Sequence, residues 1–134
     1  MGLVPAKLAK LMVLDNKSFH TIFIQESNGP RHFPIEIGLF EAVALLKQLE
    51  REEMARPMTH DLASNLVSAL GGTIKEVHIT ELRRSTFYAE IIVETEEGEV
   101  SVDSRPSDAL VLAASCKCTL FVNEDIFKMH IEQV

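Results

Sequence analysis

Apolar and polar residues recur with two different periods along this chain, and the periods divide it into strands and helices. Segments with the alternation or composition of strands lie at 7–14, 20–25, 32–37, 73–82, 86–94, 100–103 and 119–122. Helical spacing predicts helices of about 12 residues after Gly38, at 60–70, and from Pro106 to about Ser115, with a short helix near the end. Strand runs followed by helices predict an α+β fold with a mainly antiparallel or mixed sheet.

The order of the predicted elements repeats. Two strand-strand-strand-helix units span about 7–50 and 73–115, and a linking helix at about 59–70 separates them. An offset of 67 positions places Glu41 opposite Asp108. We interpret residues 1–134 as a single domain with internal duplication; chance similarity between short segments is the alternative.

Single residues refine this outline. Pro34 lies within the third strand, which is therefore expected at a sheet edge or at a bulge. Thr59 is a candidate N-cap for the linking helix, and Asn123 is one for the last helix. The helix after Pro106 is apolar nearly all round and should be the most buried.

The predicted apolar stripes are Leu39, Ala42, Val43, Leu46 and Leu49 in the first helix and Leu62, Leu66, Ala69 and Leu70 in the second. Charged residues at 51–53 are expected to end the first helix, and 15–17 are predicted to form a turn.

Charge and composition narrow the classes of function. The net charge of −7 argues against a long basic groove, so a nucleic-acid partner would need a metal ion to bridge the charges. No apolar run approaches the roughly 18 residues that cross a bilayer, and the first residues lack an apolar signal core, so we expect a cytoplasmic protein without a membrane partner. Cys116 and Cys118 form a lone C-x-C and are expected to be buried free thiols.

The stretch from Asp103 to Asp108 contains two carboxylates, a guanidinium and a hydroxyl at the predicted start of a helix. If Pro106 is the first helical residue, Arg105 is the N-cap and Asp108 is the third helical residue. Asp108 can then accept the N-cap N–H and stabilise the helix dipole, as Glu41 can at the matching helix start. This helix-start role is one interpretation; for Arg105 the corresponding interpretation is a salt bridge to Asp103.

The same geometry also suits phosphate chemistry. Helix N-termini bind phosphate through free N–H groups, and carboxylates at strand ends hold Mg²⁺ through oxygen. Asp103 and Asp108 are candidate metal ligands, and Glu36 or Glu41 of the first unit can complete the set. Arg105 can clamp a phosphate with two hydrogen bonds. An Mg²⁺ or Mn²⁺ ion in this place would polarise the phosphoryl group and activate water.

Other chemical motifs are absent from the sequence. There is no Cys/His cluster with zinc spacing, and no glycine-rich phosphate loop, dinucleotide fingerprint or nucleophile elbow. We therefore expect neither a zinc site nor an organic cofactor. His60 and Asp61 open the linking helix, where a solvated first turn is the simplest interpretation.

The stretch 103–113, DSRPSDALVLA, resembles the signature of the bifunctional nuclease domain family. Four further segments resemble motifs of that family: PIEIG at 34–38 followed by Glu41 and Ala42, RPMTHDL at 56–62, LRRSTFYA at 82–89, and LFVNE at 120–124. The resemblance covers nearly the whole chain. Glu36 departs from it, since the family often has an apolar or aromatic residue there.

The resemblance implies a domain that cleaves both DNA and RNA. Carried over by position, it marks Arg105, Pro106, Ser107 and Asp108 in the signature and Glu41, His60 and Asp61 in the other motifs. We therefore expect catalytic roles for Asp103, Arg105, Asp108 and Glu41, with substrate binding by Arg105, Ser107 and His60.

Two functional hypotheses follow from these residues. The first is a phosphodiesterase that acts on DNA and RNA with Mg²⁺ or Mn²⁺. The second is a non-enzymatic module that binds an anion or a protein, favoured by the acidic charge and by carboxylates that can serve as helix caps. Exposed sheet edges also predict a homodimer or a higher homo-oligomer.

Overall fold

The computed structural model describes residues 2–13, 19–50 and 53–131. The strands are β1 (Leu3–Met12), β2 (Phe19–Glu26), β3 (His32–Gly38), β4 (Thr73–Arg83), β5 (Thr86–Thr95), β6 (Gly98–Ser104) and β7 (Thr119–Asn123). The helices are α1 (Leu39–Leu49), α2 (Thr59–Ala69), α3 (Pro106–Cys116) and α4 (Glu124–Ile131). The predicted α+β class is confirmed. None of the helices in the described ranges has the length and apolar character that a membrane crossing requires.

The strands form one mixed sheet in the order β3-β2-β1-β7-β4-β5-β6. The β4–β7 pair is parallel, and every other neighbouring pair is antiparallel. The outer strands are β3 and β6. Because β3 carries Pro34, which cannot donate to a second neighbour, the predicted edge position of this strand is confirmed.

The two predicted units lie on either side of β7. Strand β1 is antiparallel to β7 while β4 is parallel to it, so β1 and β4 run in opposite directions. The order of strands is also reversed, β3-β2-β1 against β4-β5-β6. A rotation of about half a turn around an axis through β7, normal to the sheet, thus relates the two units and puts α1 and α3 on the same face. Their common ancestry stays a prediction.

The core lies on that face and is centred on α3. This helix contacts α1 and α2 as well as β4, β5 and β7. Its buried residues are Ser107, Ala109, Leu110, Val111, Leu112 and Ala113. The expectation that α3 is the most buried helix is confirmed, since burial on all sides matches its apolar circumference.

The sheet is strongly curved. Phe33 on β3 stacks on Phe87 of β5 with ring centroids 5.5 Å apart, although four strands separate β3 from β5. In a flat sheet this spacing would be about 24 Å, at about 4.8 Å per strand. Phe127 of α4 packs edge-on against Phe33 at 5.1 Å and helps to fill the space inside the curve. The curvature brings the β4–β5 turn towards the start of α1.

The expected apolar stripes of α1 and α2 are wrong in their orientation. In α1 the buried residues are Ala42, Ala44 and Leu45, whereas the large residues of the predicted stripe are 38–50% exposed, namely Leu39, Val43, Leu46 and Leu49. In α2 no residue is fully buried. Helix α1 contacts α3 and buries the face that contains these two alanines and Leu45, so the larger side chains of the predicted stripe lie away from the centre of the core.

Three boundaries also differ from the prediction. The N-cap of α2 is Met58, and Thr59 is its first residue. The Met58 N–H donates to Asp61 Oδ2 at 3.0 Å, so Asp61 is the capping residue. Strand β1 begins at Leu3 and ends at Met12. The predicted turn at 15–17 and most of the charged helix end at 51–53 lie outside the described residues. The Asn123 cap is confirmed, since Asn123 Oδ1 accepts the Asp125 N–H at 3.0 Å.

Strand β7 supplies a first test, because it alone joins the two units within the sheet. Val122 is fully buried and pairs with Val4 and Ile79, whereas Val100 on the edge strand is 49% exposed. Val122→Ala should lower the free energy of unfolding by about 2–3 kcal/mol through lost burial and a residual cavity. Val100→Ala should change it by less than about 0.5 kcal/mol. Urea denaturation of both variants measures the difference, and equal losses would contradict the assigned core.

Candidate functional site

Two helix starts meet on the helical face of the sheet. Helix α1 follows its N-cap Gly38, and α3 follows its N-cap Arg105; both N-caps have extended backbones. The third helical residues are Glu41 and Asp108, the pair that the offset of 67 positions aligned. The rotation about β7 therefore brings two equivalent carboxylates to one place.

Arg105 joins these two carboxylates. Its Nε donates to Asp108 Oδ2 at 3.0 Å and its Nη2 donates to Asp108 Oδ1 at 3.2 Å, which makes the pair bidentate. Nη2 also donates to Glu41 Oε1 at 3.2 Å. The alternative salt bridge from Arg105 to Asp103 is thus wrong. Arg105 remains 66% exposed, and its Nη1 has no partner among the described residues.

His60 reaches the same carboxylate from the start of α2. Its Nε2 lies 3.0 Å from Asp108 Oδ1, and its side chain is only 17% exposed. The solvated first turn that the sequence suggested for His60 is therefore wrong. We name the four residues Glu41, His60, Arg105 and Asp108 the junction cluster.

Neither Glu41 nor Asp108 acts as the reach-back cap that the sequence allows. The helix starts of α1 and α3 carry no side-chain cap hydrogen bond, and Asp108 instead uses both oxygens for Arg105 and His60. Both carboxylates still lie at the positive end of a helix, where a negative charge is stabilised. The cluster thus connects elements that are far apart in the sequence and does not serve one helix alone.

The charges of the cluster reinforce one another. Burial alone would raise the pKa of Asp108, but hydrogen bonds from Arg105 and His60 outweigh it and hold this pKa below its usual value. The hydrogen bond to Asp108, followed by the charge of Asp108, raises the pKa of Arg105. At neutral pH the cluster therefore contains an ionised Asp108 and a permanently charged Arg105.

The other predicted site residues lie around this cluster. Ser107 is the second residue of α3 and is buried. Asp103 lies on exposed β6, and its side chain forms no ion pair or hydrogen bond with a described residue. Glu36 is exposed on β3. The structure thus groups Glu41, His60, Arg105 and Asp108, and leaves Asp103 and Glu36 outside the ion-pair network.

Two open depressions adjoin the cluster. The helix depression, about 1000 Å³, lies between α1, α2 and β6 and is mainly apolar, with Phe40, Ala63, Leu112 and Asp103 in its lining. The hairpin depression, about 970 Å³, lies between the β3–α1 junction and the β4–β5 turn. Glu41 and Arg105 line both depressions, so the cluster separates them.

Within the described ranges, no group of three or more His, Cys, Asp or Glu side chains is arranged to hold a metal ion. Asp108 already accepts from Arg105 and His60, so its oxygens are not arranged for a cation in this conformation. The residues therefore do not form a metal site made of protein ligands alone. Metal binding by Asp103 and Asp108 stays a prediction.

Cys118 offers no nucleophile. Both cysteines are free and half-buried, and burial raises the pKa of Cys118 to about 11, with the Cys116 charge as a smaller cause. A thiol with this pKa is protonated at neutral pH and unreactive.

Two residues beside the cluster were not predicted as functional. Phe40 is 85% exposed on the wall of the helix depression, and Arg84 lies on the wall of the hairpin depression. A signal for Arg84 was available, since Arg84 is the middle of the three residues between the predicted strands at 73–82 and 86–94. No signal marked Phe40, because helical periodicity alone does not tell which apolar residues face solvent.

Comparison with protein families gives a match over most of the chain. The family model described as "Bifunctional nuclease domain" matches residues 22–133. An uncharacterized protein of Mycobacterium tuberculosis (strain ATCC 25618 / H37Rv) is 38% identical over 105 residues, which cover 78% of this chain and 62% of that protein.

Plant relatives carry the name of the family. "Bifunctional nuclease 1" of Oryza sativa subsp. indica is 27% identical over 120 residues, which cover 87% of this chain and 36% of the relative. "Bifunctional nuclease 2" of Arabidopsis thaliana is 29% identical over 95 residues, which cover 68% of this chain and 29% of the relative. The chain thus spans less than two thirds of the length of each of these relatives.

The depressed pKa of Asp108 gives a second test. A carboxyl group whose folded pKa is lowered stabilises the fold above its unfolded pKa of about 3.9, and this contribution is lost as the pH falls through the folded pKa. Asp108→Asn should therefore be less stable than the wild type at pH 7, and the difference should shrink below about pH 4. Urea denaturation at a series of pH values measures it; a difference that does not depend on pH would contradict the ionised cluster.

Proposed function

The chain belongs to the bifunctional nuclease domain family, and from this premise we propose that it hydrolyses phosphodiester bonds in DNA and RNA. The observation that carries the proposal is the junction cluster, in which an acid–base residue and a phosphate-binding residue share one carboxylate. The plant relatives support the substrate class through their printed names, and the chain matches about a third of their length.

Arg105 is the proposed phosphate-binding residue. Asp108 holds its guanidinium in a fixed plane, which leaves both N–H groups of Nη1 for an incoming phosphate. Because the side chain is two-thirds exposed, the phosphate reaches it without rearrangement of the core. Hydrogen bonds that strengthen as negative charge grows on the phosphoryl oxygens favour the transition state over the ground state.

His60 is the proposed acid–base residue. When its Nε2 donates to Asp108 Oδ1, the imidazole is fixed in the tautomer with a lone pair on Nδ1. Nδ1 can then accept a proton from an attacking water and return it to the leaving oxygen. The carboxylate stabilises the imidazolium that forms in between, as in other aspartate–histidine pairs.

We propose that cleavage depends on Mg²⁺ or Mn²⁺. Such an ion, bound through one or two carboxylates together with substrate phosphates, would neutralise phosphate charge near a protein of net charge −7. Asp103 supports this proposal, because it lines the helix depression beside the cluster and its carboxylate has no partner among the described residues.

A non-enzymatic binding module is the second candidate function. It is favoured by the same finding that weakens a metal site: the charges of the cluster satisfy one another, and no three metal-ligating side chains converge in the described part of the chain. In that case the cluster is an anion-binding or partner-binding surface, and its residues stabilise the fold without chemistry.

Nuclease assays separate the two functions. With Mg²⁺ or Mn²⁺ and labelled single-stranded DNA and RNA, His60→Gln should lower the rate about 10²–10⁴-fold, the range for loss of one acid–base group. Asp108→Asn should lower it to a similar extent, because His60 loses its orienting carboxylate. Asp103→Asn should shift the metal dependence to higher concentrations. The matched control is His32→Gln, since His32 is an exposed histidine that bonds only Pro30 among the described residues.

A preparation free of contaminating nuclease decides between the candidates. If the pure wild type cleaves neither DNA nor RNA with either ion, the binding module is favoured. If His60→Gln and His32→Gln retain equal activity, His60 has no catalytic role. Circular dichroism of each variant confirms that a loss of rate is not a loss of fold.

We also propose that the protein is a homodimer or a higher homo-oligomer through the exposed stripe of α2. Leu62 and Leu66 are more than half exposed and Leu70 is 87% exposed, although the helix periodicity is that of a packed face. Apolar patches of this kind on a soluble domain mark protein contacts. Cytoplasmic localisation stays a prediction.

A charged side chain in this stripe tests the proposal. Leu66→Glu places a carboxylate at its centre, and burial of an unpaired charge should shift the wild-type oligomer to monomer. Light scattering coupled to size exclusion measures the mass. A wild type that is monomeric, or a Leu66→Glu variant with an unchanged mass, would contradict this interface.

A further inference from the structure

The β4–β5 turn carries an arginine in an unfavourable backbone conformation. Arg84 and Ser85 connect the paired residues Arg83 and Thr86, and they have φ angles of 52° and 64°. Two-residue hairpin turns of this type favour Asn-Gly, because other residues are strained at positive φ. An arginine therefore occupies a turn position at which asparagine or glycine would be more stable.

Arg83 and Arg84 are neighbours with different surroundings. The Arg83 guanidinium lies 4.8 Å from the centre of the Tyr88 ring, and its Nε is 3.5 Å from Glu81 Oε1. Arg84 lines the hairpin depression and forms no ion pair with a described residue. Arg105, the other cation on that wall, pairs with Glu41 and Asp108 through Nε and Nη2, and its Nη1 is the group proposed to bind the scissile phosphate. Among the described residues of this depression, Arg84 is thus the cation left for the phosphate of a neighbouring nucleotide.

The lining also contains the carboxylates of Glu36 and Glu41, of which Glu41 is paired with Arg105, and its remaining side chains suit a nucleotide. Leu82, Phe87 and Met129 give the hairpin depression an apolar part, and Ser85, Thr86 and Ser107 bring hydroxyl-bearing side chains near the two arginines. A ligand with a flat, weakly polar ring and an attached phosphate matches this combination. The volume of about 970 Å³ exceeds what one phosphate needs and lies in the range of organic ligand sites.

We propose that the hairpin depression binds a nucleotide next to the scissile phosphate of a single-stranded nucleic acid, with Arg84 donating to the phosphate of that nucleotide. The proposal rests on the proposed function and names the form of its substrate. Because Glu41 and Arg105 line both depressions, a strand bound at Arg105 has one depression on either side. Only unpaired bases can turn into such depressions, whereas the bases of a duplex stay stacked and paired. The net charge of −7 also disfavours a rigid duplex with twice the phosphate density.

Binding measurements with two matched arginine variants test the subsite. Arg84→Asn removes the charge and keeps a residue that tolerates positive φ, so the turn should remain folded. Arg83→Gln removes the same charge one residue away and outside the depression. Fluorescence anisotropy with a labelled oligothymidylate of about eight nucleotides, in Ca²⁺ instead of Mg²⁺ to prevent cleavage, gives the dissociation constants. The same sequence paired with its complement is the duplex probe.

We expect Arg84→Asn to weaken single-strand binding about tenfold, and to lower the slope of log K against log salt by about 0.7, the value for one phosphate contact to a single strand. Arg83→Gln should change the dissociation constant less than about twofold. The wild type should bind the single strand more tightly than the duplex.

Three outcomes would overturn the subsite: equal losses in the two variants, tighter binding of the duplex, or no binding of the single strand by the wild type. Cleavage assays test the proposed nuclease activity separately from the subsite. A wild type that binds as expected but never cleaves rejects the activity and retains the subsite. Cleavage with unchanged binding in Arg84→Asn rejects the subsite alone.

Discussion

A single guanidinium holds together two helix starts that belong to different halves of the sheet. Arg105 forms a bidentate pair with Asp108 on its own helix and a hydrogen bond to Glu41 on the other. This interaction requires the rotation about β7, which places α1 and α3 side by side with their third residues close together. His60 joins from the linking helix through Asp108, so the cluster connects three helix starts. The desolvation free energy of this ion pairing is small, because the guanidinium remains largely in water.

Much of the fold was predictable, since it depends on local signals. The alternating strands, the proline at the start of α3 and the edge position of Pro34 each follow from constraints within a few residues. The alignment of Glu41 with Asp108 was predictable too, because it requires only a count of positions from two matching helix starts. The family resemblance, which the match over residues 22–133 confirms, came from the same stretch.

The wrong predictions concern contacts between residues that are far apart in the sequence. Periodicity showed that α1 and α2 have apolar stripes but not that α1 would bury Ala42, Ala44 and Leu45. Local reasoning paired Arg105 with Asp103 in the sequence, yet Asp103 lies on an exposed strand while Asp108 lies on the same helical turn as the guanidinium. The role of Arg84 depends on the curvature of the sheet, which brings the β4–β5 turn to the opposite unit. A pattern of residues along one strand does not contain that curvature.

The position of β7 has a consequence for how this chain folds. The strand in the middle of the sheet is the last strand in the sequence, and it pairs Asn123 with Leu3 and Thr119 with Glu76. Each three-stranded unit can form from local hairpins, but the two halves join only after both are made and β7 has entered between them. Contacts of such long sequence separation slow the folding reaction. Until β7 has been synthesised, the inner strands β1 and β4 therefore expose open edges, which are sites where chains can pair and aggregate.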